Sequence, residues 1–412
     1  MEKPKKILIL LSSLKLGGGA ERVASVLGTE LNKRGYPVDL LTYYNYKERY
    51  VFEGEYYSFN EVLESSVFVK FKKLITRPLA ISKFCKDHHT DIVISFIEKS
   101  NFYAILSKIF KNKSKIIACV HNNPETNYQK GIVARVTNYL IKKLYPRADK
   151  IVVVSKEIKE ILCASYKIPR NKIEVMYNPH NINQYIEKST EPLEERYLKI
   201  FKNSYVFINI GRLSEQKAQW YLIRSFKKVT EKHKNAKLII LGDGELKGEL
   251  INLVKKLNLG GSVFLLGNQT NPFKLLKHSQ CFVLTSLWEG LPNALIEALS
   301  VNLPIISTDC KTGPREILEP ELKINEEIKY PHPAKYGILI KPFERKMVFE
   351  DLNDKPLTKQ EKDFAELMIE IMENNELGER YKKGIERARD FDIEKTIKEW
   401  EGLFKNYNDN KL

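Results

Sequence analysis

Short runs rich in β-branched residues alternate with amphipathic stretches along this chain, and the alternation restarts near its middle. Strands are expected at 7–11, 38–43, 91–96, 115–120, 150–154 and 172–176, then at 205–210, 237–241, 263–266, 281–285, 304–308 and 337–340. Runs this short and apolar, separated by helical periodicity, specify parallel sheets covered by helices on both faces. A chain of 412 residues exceeds what one hydrophobic core usually serves, so two such α/β units in series are expected. Between 178 and 203 the periodicity weakens and polar residues gather around Glu191-Pro192. The expected boundary therefore divides a first domain over 1–190 from a second over 191–385, followed by a terminal helix over 386–412. Phe391, Ile397, Trp400 and Phe404 are the apolar positions of that last segment.

Composition removes several classes. With 43% hydrophobic and 10% aromatic residues the chain can fill proper cores, which excludes a mainly disordered protein. No apolar run approaches the ~20 residues of a membrane span, and the run at 7–11 is too short for a signal-peptide core. Cys85, Cys119, Cys163, Cys281 and Cys310 are scattered and lack metal-ligand spacing. They suit a reducing, cytoplasmic setting better than a disulfide framework. The net charge of +16 is unevenly divided: residues 1–180 hold 31 Lys and Arg against 17 Asp and Glu, and residues 181–412 hold 37 against 35. A field concentrated on one domain favours a polyanionic partner, whether nucleic acid, an anionic lipid surface or a phosphorylated substrate.

Three segments carry candidate chemistry. Gly17-Gly18-Gly19-Ala20-Glu21-Arg22 follows the first strand and opens a helix. Backbone N–H groups there can approach an anion, although the spacing is not the dinucleotide fingerprint and a plain tight turn has the same signature. Gly211-Arg212-Leu213 follows the strand at 205–210, with Lys217 five residues after the arginine. A guanidinium fork and an ammonium at a strand's carboxyl end can clamp a diphosphate, or form only a solvated basic edge. In Glu289-Gly290-Leu291-Pro292-Asn293-Ala294-Leu295-Ile296-Glu297, Pro292 suits the first helical position. Glu289 then lies in the loop before the helix and Glu297 inside it. Free N–H groups near Asn293, Ala294 and Leu295 can receive phosphate or sugar oxygens, and each glutamate can accept from hydroxyls.

This last segment resembles the E-x7-E element of the retaining glycosyltransferase family four. Gly18–Arg22, His121, Gly211–Leu213 with Lys217, Gly242-Asp243-Gly244-Glu245-Leu246 and 308–316 follow in that family's order. The resemblance implies a GT-B architecture: two Rossmann-like, doubly wound domains facing a cleft, with the C-terminal helix crossing back to the N-terminal domain. It implies that Arg212 and Lys217 hold the donor diphosphate, Glu297 the ribose and Glu289 the donor sugar, with the backbone of Asn293, Ala294 and Leu295 supporting phosphate and sugar. Gly244 and the loop 268–271 are expected beside the nucleobase, Gly18 and Gly19 over the phosphates, and His121 facing the transferred sugar.

The implied reaction is retaining transfer of a hexose or N-acetylhexosamine from a nucleotide sugar, UDP-linked on resemblance, by front-face displacement without an enzymic nucleophile. No cofactor and no metal are expected. Asp390-Phe391-Asp392 lies far from the other motifs, and Asp392 suits a helix cap better than a metal ligand. Two basic stretches qualify for an anionic bilayer on the inner face of the cell membrane. One sets Lys70, Lys72, Lys73, Arg77, Lys83 and Lys86 among Phe71, Leu74, Ile75, Leu79, Ile81 and Phe84; the other sets Ile132, Val133, Val136, Leu140 and Leu144 beside Arg135, Lys142, Lys143, Arg147 and Lys150. A core helix with a solvated face has the same pattern. A polyprenyl-diphosphate-linked glycan is the favoured acceptor. The rival readings are a sugar-nucleotide epimerase or phosphorylase of the same architecture, and a nucleic-acid-binding protein, for which no recognised module is present.

Overall fold

A computed structural model describes residues 4–62, 67–127, 129, 131–374, 379–381 and 383–409, with the side chains of 67, 68, 70, 71 and 406–409 outside that description. Two compact units emerge: Met1–Pro179 together with Ile393–Leu412, and His180–Asp392.

Among the described residues the first unit carries one seven-stranded sheet in the order β3-β2-β1-β4-β5-β6-β7. Its strands are β1 (Ile7–Leu11), β2 (Val38–Thr42), β3 (Glu55–Ser58), β4 (Ile92–Phe96), β5 (Lys115–Val120), β6 (Lys150–Val153) and β7 (Ile173–Val175), all paired in parallel. β1, β2 and β4 are buried along their whole length, which is why they read as unbroken apolar runs. The helix Gly19–Lys33 turns Val23, Leu27 and Leu31 toward β1, and the final helix Ile393–Asp409 adds Ile397, Trp400, Leu403 and Phe404 to the same core. The Arg34 guanidinium ties the two helices together, 2.7 Å from Glu394 and 3.7 Å from Glu401. The chain's end therefore returns to its first unit, as expected.

The second unit repeats the plan, with a seven-stranded sheet in the order β10-β9-β8-β11-β12-β14-β13 among the described residues. It comprises β8 (Tyr205–Ile210), β9 (Ala236–Leu241), β10 (Val263–Gly267), β11 (Cys281–Leu284), β12 (Ile305–Thr308), β13 (His332–Ala334) and β14 (Gly337–Ile340). Only β13 runs antiparallel to its neighbour among these strands.

The division between units differs from the expected boundary at 190/191. The helix Ile182–Ser189 packs within the second unit because Tyr185 stacks on Phe273 with ring centroids 4.3 Å apart, and Asn271 Nδ2 donates to Lys188 O at 2.8 Å. Residues 386–392 also stay with the second unit, since Arg387 donates to the carbonyls of Glu316 and Ile317 at 2.7 and 3.0 Å. All twelve expected strands are present; β3 and β13 were not foreseen. Both are short edge strands, one half-exposed with the sequence Glu-Tyr-Tyr-Ser and one containing Pro333, so neither carries the apolar signature of a central strand.

Candidate functional site

In the second unit the chain order reverses around β8, which lies between β9 and β11. Loops leaving the carboxyl ends of β8 and β11 meet at such a switch point, the place where open α/β sheets bind ligands. One loop carries Arg212 and Lys217, the other Glu289. Lys217 Nζ lies 2.5 Å from Glu289 Oε1, and the same oxygen accepts from Ser286 Oγ at 2.6 Å. Gln216 Nε2 donates to Glu289 Oε2 at 3.3 Å and to Trp288 O at 2.9 Å, while Leu287 N donates to Gln216 O at 2.8 Å. Thr312 Oγ1 donates to the Glu289 carbonyl. The pair is mostly withdrawn from water, with side-chain exposures of 17% for Lys217 and 6% for Glu289. Arg212 is exposed, and among the described residues its guanidinium has no hydrogen bond or ion pair.

The glycines flanking these groups are there for close approach. A Cβ on Gly242 would meet Gly211 O at 2.1 Å, and one on Gly244 would meet Leu213 O at 2.3 Å. The loops after β8 and β9 are zipped backbone to backbone, with Gly211 N donating to Leu241 O and Leu213 N to Asp243 O, both at 3.0 Å. The Lys217 stem crosses Gly211, its Cγ and Cδ 3.2 Å from where a Cβ would stand. Gly313, at φ +94°, lies similarly against Pro292 and the Gly290 carbonyl. Each glycine removes a side chain that would push a functional loop off its seat.

The helix beyond Glu289 spans Asn293–Leu299, and Pro292 occupies its N-cap rather than the expected first helical position. Leu295 N donates to Pro292 O at 3.0 Å, so this N–H is already engaged, contrary to its expected freedom. Asn293 and Ala294 open the helix, and Glu297, its fifth residue and just over one turn in, is buried at 3% exposure. In the loop 268–271, Gln269 accepts from the Tyr197 hydroxyl at 2.8 Å and Asn271 holds Lys188, so both side chains serve the packing of neighbouring helices. Arg315 grips Asp309 with Nη2 2.5 Å from Oδ2, and Tyr330 OH donates to that oxygen at 2.7 Å, fixing the segment that bears Thr312. Asp390 pairs with Arg387 at 2.6 Å.

The first unit has its own switch point between β1 and β4. Gly17, at φ +99°, and Gly18 lead into the helix that begins at Gly19. The Glu21 carboxylate folds over Gly18, its Oε2 standing 1.9 Å from where a Cβ would be. The loop after β4 holds Ile97 at φ +70°, ψ 149°, a conformation that a β-branched residue enters only under constraint. His121 follows β5 and lies nearly parallel to Phe96, centroids 5.1 Å apart. Its residue surface keeps some exposure, yet Nε2 is shielded from solvent and unpartnered among the described residues. Burial lowers its pKa to about 4, so the ring is neutral at pH 7. A cavity of about 10 Å³ between His121, Met176, Asn178 and Trp400 adjoins it.

The basic stretches resolve differently from their sequence pattern. In the helix Val67–Asp87, Arg77 is buried at 6% exposure, pairs with Glu61 at 2.7 Å and faces the Tyr43 ring at 4.2 Å; Lys73 also pairs with Glu61 at 2.7 Å. These two cations and Ile81 belong to the fold, and the side chains of Lys70 and Phe71 lie outside the described residues. Leu74, Ile75 and Leu79 face outward. In the helix Gly131–Leu144, Leu144 is core, whereas Ile132, Val133, Val136 and Tyr139 are more than half exposed beside Arg135, Lys142 and Lys143. Lys150 pairs with Glu174 at 2.7 Å. No described helix is long and apolar enough to cross a membrane.

Gln216 and Ser286, which position Glu289, carry no sequence signal beyond their closeness along the chain to Lys217 and Glu289, and Thr312 lies within the motif 308–316 without a role of its own there.

Comparison with known proteins identifies the family. Residues 17–184 match the family described as Glycosyltransferase Family 4, and residues 191–329 match Glycosyl transferases group 1. An uncharacterized glycosyltransferase of Methanocaldococcus jannaschii is 53% identical over 84% of this chain and 86% of its own length. The chain belongs to the family 4 glycosyltransferases. This family 4 glycosyltransferase is also 32% identical, over 76% of its length and 83% of the relative's, to a Campylobacter jejuni enzyme named N-acetylgalactosamine-N,N'-diacetylbacillosaminyl-diphospho-undecaprenol 4-alpha-N-acetylgalactosaminyltransferase. Its fold matches that of Anabaena HepE crystallised with UDP-glucose, at TM-score 0.73 and 16% identity over 97% of this chain and 99% of the other. The GT-B expectation of two parallel-sheet α/β domains holds, and glycosyl transfer prevails over the epimerase, phosphorylase and nucleic-acid readings.

Proposed function

We propose that this glycosyltransferase moves a hexose or N-acetylhexosamine from a UDP-sugar to a hydroxyl of a polyprenyl-diphosphate-linked glycan, with retention of anomeric configuration and without a metal. The observation that carries the reading is the Lys217–Glu289 pair at the switch point of the second sheet, with Arg212, whose guanidinium is unengaged among the described residues, on the same loop as Lys217. The UDP-glucose in the Anabaena structure and the diphospho-undecaprenol in the Campylobacter enzyme's name support the donor and acceptor classes.

In this reading Arg212 and Lys217 receive the diphosphate, Glu289 and the backbone at Asn293 and Ala294 receive donor oxygens, and Glu297 receives the ribose. Gly244 shapes the base side of the site, Gly18 and Gly19 approach the phosphates, and neutral His121 faces the transferred sugar. The acceptor oxygen bonds to the anomeric carbon as the bond from that carbon to the β-phosphate oxygen breaks, its electrons staying on the phosphate. The acceptor's proton passes to that departing oxygen. Two cations aimed at the leaving group stabilise the charge that develops there, the role a metal serves elsewhere.

The outward apolar residues of 132–139, flanked by Arg135, Lys142 and Lys143, support a resting place on an anionic bilayer. Vesicles with anionic headgroups should retain the protein at low salt and release Ile132→Glu/Val136→Glu; equal retention of both would overturn this part. The donor reading is tested with a panel of nucleotide sugars in thermal unfolding. A ligand at 100 times its Kd adds about 2.7 kcal/mol. The best donor should raise the midpoint of the wild type and leave Lys217→Ala and Glu297→Ala unmoved; an undiminished shift in both contradicts the site.

A further inference from the structure

The segment that follows β14 brings a residue to the donor site that no motif announces. Arg345 sets its guanidinium over the Trp288 ring, 4.1 Å from the centroid, and its Nε donates to Glu215 Oε1 at 2.7 Å. Trp288 immediately precedes Glu289, and Glu215 stands two residues before Lys217. One side chain therefore touches both segments whose tips form the Lys217–Glu289 pair.

The backbone that carries Arg345 is held from beneath. The Tyr221 hydroxyl lies 2.9 Å from Glu344 O and 3.0 Å from Lys346 O, sharing its one proton between the carbonyls on either side of Arg345. Phe343 stacks on the Tyr221 ring with centroids 4.5 Å apart. Farther along, the buried Arg224 donates to Glu350 O and Lys355 O, both at 2.8 Å, while its Nε pairs with buried Glu361 at 2.7 Å. A loop with only a connecting role does not need a buried arginine and a tyrosine hydroxyl to fix its carbonyls; these contacts fix where Arg345 emerges. The ion pair itself is weak, with side-chain exposures of 35% and 42%, so it adds little to global stability. Its consequence is local: a flat cation covers Trp288 and restrains the loop containing Glu215.

We propose that Arg345 is a positioning residue of the donor site, clamping residues 215–217 against 288–289 so that the Lys217–Glu289 pair stands ready before a nucleotide sugar arrives. The proposal rests on the donor reading above and deepens it. Binding to a preformed pair avoids ordering two loops at the moment of binding.

The test uses the full chain with UDP as probe, following affinity by calorimetry and the unliganded midpoint by thermal unfolding. Arg345→Met should leave the unliganded midpoint in place and weaken UDP binding by roughly tenfold, since small displacements of positioned groups carry large penalties. Arg345→Lys should restore little, because an ammonium lacks the planar stack. Tyr221→Phe, which frees the carbonyls flanking Arg345, should weaken UDP in the same direction. In a Glu289→Gln background Arg345→Met should have little further effect, as expected of groups acting through one another. UDP affinity in Arg345→Met equal to wild type, or full additivity with Glu289→Gln, overturns the proposal. Loss of UDP binding in Lys217→Ala alongside unaltered Arg345→Met would sink the clamp alone; a wild type that ignores UDP would sink the donor reading and the clamp with it.

Discussion

Lys217 Nζ and Glu289 Oε1 stand 2.5 Å apart at the reversal point of the second sheet, joining two groups that the family resemblance assigns to different parts of one substrate. Each satisfies the other's charge in a place with little water. Lys217→Met should therefore leave a nearly buried carboxylate unpaired and lower stability by about 2–4 kcal/mol, somewhat under the full penalty for a dry ion pair because the lysine keeps some exposure. The double variant Lys217→Met/Glu289→Gln should recover part of that loss. Urea unfolding of the four proteins measures the coupling, and strictly additive effects would refute it.

Arg212 behaves oppositely. Its exposed guanidinium has no bond or ion pair among the described residues, so Arg212→Ala should leave the thermal midpoint within about 2 °C. Transfer should fall about 100- to 1,000-fold if the group stabilises the departing diphosphate. Activity assays paired with calorimetry separate this from a folding defect.

His121 gives a pH signature. Its folded pKa, lowered to about 4 by burial, lies below the ordinary value of 6.5. The unfolded chain then takes up a proton that the folded chain refuses. This contribution is fully present above pH 6.5 and is lost as pH falls toward 4, by up to about 3 kcal/mol. His121→Asn should flatten that interval relative to wild type; parallel pH profiles of unfolding would exclude the assignment.

The zipped glycine loops predict a contrast between two alanine substitutions. Gly244→Ala drives a methyl group into Leu213 O and should displace the Arg212 loop, lowering stability by more than about 2 kcal/mol and weakening UDP binding. Gly248→Ala meets open space on the helix Lys247–Lys256 and should stabilise by roughly 0.5–1 kcal/mol. Thermal midpoints moving together would contradict this packing.

The final helix makes a separable prediction. Trp400→Ala removes a side chain at 4% exposure from the core shared with β1 and the helix Gly19–Lys33, and should cost about 3–5 kcal/mol. Proteolysis after mild heating should then cut the first unit before the second.

The apolar periodicity was enough to locate every central strand, because residues covered on both faces have no polar alternative. It missed β3 and β13, whose edge positions leave their residues free to be polar. The family resemblance implied one donor for Arg212, Lys217, Glu289 and Glu297, and the structure sets Arg212, Lys217 and Glu289 on the loops leaving β8 and β11 of one sheet. Spacing in sequence does not measure distance across a sheet, however. Only the tertiary structure could pair Lys217 with Glu289, bury Arg77 in a tyrosine-lined ion pair, turn Leu144 into the core while leaving Ile132 outside, and carry Arg345 onto Trp288. Those outcomes depend on which face of an element meets a neighbour distant in the chain. Local sequence sets the pattern of each face, and the packing of the whole unit decides what that face touches.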